Sequence, residues 1–405
     1  MAARQTGYPF RMKRRSFFKA AAALPALGAG ITTPPQPARG SSFDPWVEVY
    51  AGHLRANAAA VHARTGVPIL AVIKNNGYGA GVVNAARALE PLEAVQGFAV
   101  VKLQEAVVLR DAGIRKPVLL MGPVEERDLA EIARRDISFM AYTPVAAALE
   151  RAAAATGRTV TIHVCVDTGL GRVGVPHRQA PGLIRAFAGA RGVRIAGVMM
   201  TFTEDAAFDR EQLERFRALA AGLQAAGIPS GALHAASTYT LFQHPDAYLD
   251  MVRPGMALYG IYPEPAFRRA GAIHLVPAIA LRTRVAYVKQ LQAGESAGYS
   301  RAYVAERPVW IATLPVGHAD GLPRAAAGGG RVRIGGALYP IIASVSASHS
   351  IVEIGPERRV EIGDEATLFD WTDGSRPEDL AQACGASVYD LTMHLNPLLP
   401  RRVVN

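Results

Sequence analysis

Eight short apolar runs, separated by stretches of helical periodicity, constrain this chain more than any other feature. They are Ile69 to Lys74, Gly97 to Val100, Pro117 to Met121, Ile137 to Ala141, Val160 to Asp167, Arg194 to Met200, Ala232 to Ala236 and Met251 to Arg253. Runs apolar at successive positions read as strands buried on both faces, and their alternation with helices predicts an α/β fold with a parallel sheet. The intervening helices show in sets such as Leu213, Phe216, Ala220 and Leu223, which share one face at 3.6 residues per turn. A doubly wound open sheet would show the same alternation; the count of eight and the length favour a (β/α)8 TIM-type barrel. No internal repeat is visible.

Beyond Arg268 the pattern changes to short alternating runs, with Gly335-Gly336 between Arg331 to Ile334 and Ala337 to Ile342. This predicts a C-terminal mainly-β domain with a tight hairpin. The expected organisation is a segment 1–40, a barrel 41–268 and a β domain 269–405. Trp46 to Val49 also alternates and is expected to pair with the β domain.

Residues 1–40 carry seven basic residues and no acidic one, followed from Ala20 by an alanine-rich apolar run. That is the pattern of a targeting segment, too short to span a bilayer permanently. Lys13-Arg14-Arg15-Ser16-Phe17-Phe18-Lys19 resembles a twin-arginine export signal, which implies a protein folded before it reaches the periplasm. Removing those seven cations from a net charge of +10 leaves +3, so the basic balance belongs to the segment. No basic stripe with interleaved aromatics suggests nucleic-acid binding. Two cysteines, Cys165 and Cys384, exclude a disulfide framework, and the histidines show no metal-ligand spacing.

Within the first run, Lys74 is delivered to the carboxyl end of a buried strand and followed by the turn residues Asn75, Asn76, Gly77 and Gly79, with Tyr78 among them. In α/β barrels that edge carries the chemistry. A second candidate, V-D-T-G-L-G-R-V-G at 166–174, contains G-x-G-x-x-G at Gly169, Gly171 and Gly174. A dinucleotide fingerprint needs a helix beginning among those glycines, whereas Arg172 occupies the turn and Pro176 follows it, so that reading is rejected. Arg253-Pro254-Gly255-Met256 closes the eighth run.

These segments together resemble the alanine racemase family of pyridoxal-phosphate enzymes over residues 45–395. The resemblance implies that Lys74 forms a Schiff base with pyridoxal 5'-phosphate, and that Tyr78 belongs to the same cofactor segment. It implies Arg172 near the cofactor's phenolic oxygen and the substrate, and Arg253 facing the pyridine nitrogen. A guanidinium, with a free pKa of roughly 12.5 or more, would leave that nitrogen unprotonated and suppress transamination. Thr238, with backbone N–H groups of Gly255 and Met256, is implied as a phosphate cradle, and Tyr389 as a phosphate contact that orients the lysine. Tyr299 resembles the second catalytic base, which reaches the site from the other subunit of a homodimer. A phenol with a free pKa of about 10 needs nearby positive charge for that role. Lys74 and Tyr299 would then serve opposite faces of the substrate carbon.

The chain departs from the family pattern where Cys165 stands for a frequently carbamylated lysine, Thr201 for a histidine beside the cofactor ring, and His318 for a tyrosine. Ala347 and Ser348, expected near the substrate, stand where Met-Asp is usual. Cys165 reads as a buried small hydrophobe rather than a nucleophile. The expectation is a pyridoxal-phosphate-dependent amino-acid racemase acting on alanine. The alternatives are a broad-specificity periplasmic racemase, a non-catalytic cofactor binder and a fold-related decarboxylase.

Overall fold

A computed structural model describes residues 42–405; the proposed export signal lies outside the described residues. Seven of the eight expected runs form strands. With β1 at Trp46–Tyr50, they are β2 (Ile69–Val72), β3 (Val95–Val100), β4 (Val118–Leu120), β5 (Ile137–Ala141), β6 (Val160–Asp167), β8 (Val193–Met199) and β9 (Ala232–His234). The short β7 (Val175–Pro176) pairs only with the end of β6.

Each neighbour pair is parallel and the order β2-β3-β4-β5-β6-β8-β9 follows the sequence. A doubly wound sheet would reverse direction at a switch point. The eighth run is not a full strand: it closes the ring through a single parallel bridge, Ile69 to Val252. On one side Leu70 N–H donates to Val252 O at 2.9 Å and Val72 N–H to Pro254 O at 2.9 Å. On the other, Arg253 N–H donates to Ala236 O at 2.8 Å. Pro254 cannot donate to a ladder, which is why the pairing stops there.

The helix Ala206–Ala225 packs by the face its spacing predicted, burying Leu213, Phe216 and Leu223. Asp205 caps it by accepting from the N–H groups of Ala207 and Phe208.

The remaining strands are β10 (Ile279–Arg284), β11 (Tyr287–Leu291), β12 (Ser296–Ala297), β13 (Tyr303–Val304), β14 (Val309–Leu314), β15 (Arg331–Ile334), β16 (Ala337–Ile342), β17 (Ser350–Gly355), β18 (Glu365–Phe369) and β19 (Arg401–Val404). Nine strands form one sheet in the order β11-β14-β17-β16-β15-β18-β10-β1-β19. As expected, β15 and β16 form a hairpin about Gly335-Gly336, and β1 joins this sheet, antiparallel to β10 and parallel to β19.

Asn57, on the helix Ala51–Thr65, ties the barrel to the segment leading into β10. Its Nδ2 donates to Leu258 O at 3.0 Å and Val276 O at 2.8 Å, and its Oδ1 accepts from Val276 N–H at 2.8 Å. The side chain is 1% exposed, so no water can take over those groups. Asn57→Leu is therefore expected to cost about 3 kcal/mol or more, since it strands several buried backbone groups. Denaturant unfolding would measure the loss.

Candidate functional site

The carboxyl ends of the barrel strands open into a cavity of about 980 Å³, at the upper end of the roughly 300–1,000 Å³ usual for small-molecule sites. Lys74, Tyr78, Arg172, Thr238, Arg253, Gly255, Met256 and Tyr389 all line it, as do Cys165 and Thr201. Tyr299, Ala347 and Ser348 do not: they belong to the β domain, and Tyr299 is 78% exposed.

Lys74 sits just past β2, ahead of an unusual piece of backbone. Asn75, Asn76, Gly77, Tyr78 and Gly79 all have positive φ, so the chain makes a left-handed turn. Such a conformation costs an L-residue roughly 1–2 kcal/mol, least for Gly and Asn, which fill most of these positions. Gly79 is required on two counts, since its φ is +94° and a Cβ there would lie 2.5 Å from Thr392 O. The turn buries Tyr78, which stacks on Tyr259 at 4.7 Å and meets Tyr389 with the two Oη atoms 3.2 Å apart. Burial raises the pKa of both Tyr78 and Tyr389. Burial lowers that of Lys74, helped by Arg172 and opposed by Glu105. A lysine amine is thereby moved toward its nucleophilic form.

Arg172 is carried by the loop after β6. Asp167 Oδ1 accepts from the N–H groups of Gly169 and Gly171, and His177 N–H returns to Asp167 O. The loop thus folds back on its own strand and no helix starts in it, in agreement with the rejected dinucleotide motif. Arg172 makes no hydrogen bond or ion pair among the described residues, leaving a free guanidinium on the cavity wall. Cys165 lines the same cavity. Burial pushes its thiol up to about 11, so it is a protonated apolar filler, as expected.

Arg253 is anchored by a network that the sequence reading missed. NH1 donates to His234 O at 2.6 Å and to His234 Nδ1 at 3.1 Å, and NH2 donates to Met200 O at 2.7 Å and Ala235 O at 3.2 Å. Four of its five N–H groups are thus taken by protein, and only Nε–H is left for the cavity. Burial lowers its pKa to about 10, which still leaves it cationic at neutral pH.

Because a guanidinium only donates, His234 Nδ1 must accept. Its proton is on Nε2, which donates to His163 Nδ1 at 2.9 Å. Both rings are neutral: burial, then the charge of Arg253, lowers His234 well below its ordinary value and His163 to about 4. The available signal was a histidine inside each of two apolar strands, β6 and β9.

Thr238 Oγ1 accepts from Gly255 N–H at 3.1 Å and Ala257 N–H at 3.2 Å. Gly255 N–H is therefore spent within the protein. The donors left in this wall are the Thr238 hydroxyl hydrogen, Met256 N–H at the start of the turn Met256–Tyr259, and the first N–H groups of the helix Thr238–Gln243, a set able to receive a phosphate. A Cβ on Gly255 would lie 2.1 Å from Tyr78 Oη, so only glycine lets the cradle reach the tyrosine pair. Unpaired donors for a phosphate, a lysine whose ammonium is disfavoured by burial and a single guanidinium N–H in one cavity fit pyridoxal phosphate. No group of three or more potential metal ligands occurs among the described residues.

Two measurements test these environments. Since the folded pKa of His163 lies below the unfolded value of about 6.5, the unfolded chain binds the extra proton as pH falls from about 6.5 to 4. Stability then drops by up to about 1.4 kcal/mol per pH unit per histidine, and His163→Gln should flatten that slope in denaturant titrations. Cys165 should react with iodoacetamide at pH 8 about a hundredfold or more slower than a free thiol, with Cys384 as internal comparison.

Comparison with known proteins matches the alanine racemase N-terminal domain over residues 49–263 and the alanine racemase C-terminal domain over residues 278–403. Relatives named alanine racemase include those of Desulfosudis oleivorans, 33% identical over 90% of this chain and 98% of theirs, and Symbiobacterium thermophilum, 34% identical over 88% and 96%. Among solved structures, alanine racemase from Streptomyces lavendulae superposes with a TM-score of 0.83 at 31% identity, covering 89% of this chain and 97% of its own. The Bacillus anthracis enzyme with bound L-Ala-P gives 0.80 at 28%, covering 89% and 95%. With the barrel, the β domain and the lysine–arginine cavity all in place, the chain belongs to the alanine racemase family.

Proposed function

We propose that this protein is a pyridoxal-phosphate-dependent racemase that interconverts L- and D-alanine. The observation that carries the reading is one cavity holding Lys74, the Nε–H of Arg253 and the donors around Thr238 together. When bound, pyridoxal phosphate supplies an electron sink that makes the substrate α-hydrogen acidic. Lys74 is the residue to hold it and to move a proton on one face. Arg172, with no hydrogen-bond or ion-pair partner among the described residues, is placed to take the substrate carboxylate. Arg253 donates from Nε–H and keeps its own proton, since nothing nearby is basic enough to remove it.

Racemisation needs a second proton carrier on the opposite face, a role assigned here to Tyr299 of a second copy. Tyr299 lies on a short turn whose next residues, Ser300 and Arg301, have φ of 56° and 53°, and its ring is 78% exposed. A strained loop presenting an aromatic side chain to solvent supports docking into another subunit, so the working unit is a homodimer. Ala347 and Ser348, exposed in the same domain, are assigned to the substrate wall by the same reasoning. The Lys13 to Lys19 segment supports export by the twin-arginine route to the periplasm.

The matched C-terminal domain favours an enzyme over a non-catalytic binder. The cavity volume and the small Thr201 keep the broad-specificity racemase as second reading. Lys74→Ala should abolish α-hydrogen exchange and the visible absorbance gained with pyridoxal phosphate together, and borohydride should fix the cofactor to residue 74 in the wild type. Exchange on a panel of L-amino acids should be fastest with alanine; faster turnover of lysine or arginine would establish the second reading instead.

A further inference from the structure

The left-handed turn after Lys74 leaves Asn76 N–H without a backbone acceptor, and a single side chain takes it. Glu105 Oε1 accepts from Asn76 N–H at 2.8 Å. Its other oxygen accepts from Val101 N–H and Lys102 N–H, each at 3.3 Å. Those two residues directly follow β3, and Glu105 is itself fixed as the third residue of the helix Leu103–Asp111 in a capping box. One carboxylate thus stitches the Lys74 turn to the end of the adjacent strand. The last backbone link before the turn is Ile73 N–H to Ala99 O at 2.9 Å, so nothing else in the β2–β3 ladder secures residues 74–76.

We propose that Glu105 is a positioning residue for Lys74, clamping the left-handed turn that carries the lysine against the end of β3 with a charged carboxylate. A capping role alone would affect stability and leave the lysine's chemistry unchanged. The inference rests on the reading that Lys74 takes pyridoxal phosphate. The charged groups that act on the amine are Arg172, from the loop after β6, and Glu105; Arg253, Asp167, Tyr78 and Tyr389 line the same cavity. Arg172 disfavours the ammonium and Glu105 favours it, so removing the carboxylate's charge should free the amine at lower pH.

The test follows cofactor uptake by the full chain stripped of pyridoxal phosphate. The amine nitrogen attacks the aldehyde carbon and water leaves, so the rate rises with pH as the amine loses its proton. Glu105→Gln keeps the size, removes the charge and leaves one accepting oxygen where the clamp uses two. Its rate profile should move to lower pH by about 0.5 unit or more, and its exchange kcat on alanine should fall about tenfold with KM within about twofold. Glu105→Asp keeps the charge but shortens the reach, so kcat should fall while the profile stays in place. A Glu105→Gln protein with the wild-type profile and kcat, altered only in melting temperature, would overturn the proposal. Wild-type protein that took up no cofactor would instead overturn the racemase reading.

Discussion

A guanidinium buried without a carboxylate must find an acceptor for nearly every N–H, and the barrel's architecture around Arg253 meets that demand. Charge buried unpaired is among the costliest things a protein interior can hold. The acceptors come from three carbonyls at the ends of β8 and β9 and from one histidine ring.

The same constraint sets the protonation states below the cavity. Once Arg253 donates to His234, the tautomer of that ring is fixed, and so is that of His163. Neither ring offers a proton upward. The floor of the site is thus electrically simple, one cation held over two neutral rings, and the titrating groups lie at its walls.

The barrel was legible because buried parallel strands are apolar throughout, a signal that survives in a single sequence. Lys74 and Arg253 were legible because each is a charge stranded at the end of such a run, and Arg172 because its glycine-rich segment resembles that of the family. The eighth strand misled: Met251 to Arg253 looks like the other seven, but Pro254 stops its ladder. Gly255 N–H was expected to face the phosphate and is instead taken by Thr238, a three-residue geometry with no trace in spacing. His163 and His234 stood in plain view among apolar neighbours, yet their meaning depends on a contact between β6 and β9, strands separated in the ring by β8. Glu105 was invisible for a related reason. Its partner is a backbone N–H exposed only because the Asn76 backbone is left-handed, and backbone handedness over several residues is not written in composition.

The position of β1 between β10 and β19 bears on how the chain comes into being. Its parallel pairing with β19 joins Val47 to Arg401 and Tyr50 to Val404, and the Arg402 guanidinium covers the Trp46 ring at 4.1 Å. A ribosome releases residue 47 long before residue 401, so throughout synthesis the first strand waits with one margin bare. Such a margin invites pairing with another nascent chain. Completion of the sheet accordingly waits on Arg401–Val404, and a chain lacking that strand would leave the margin uncovered for good.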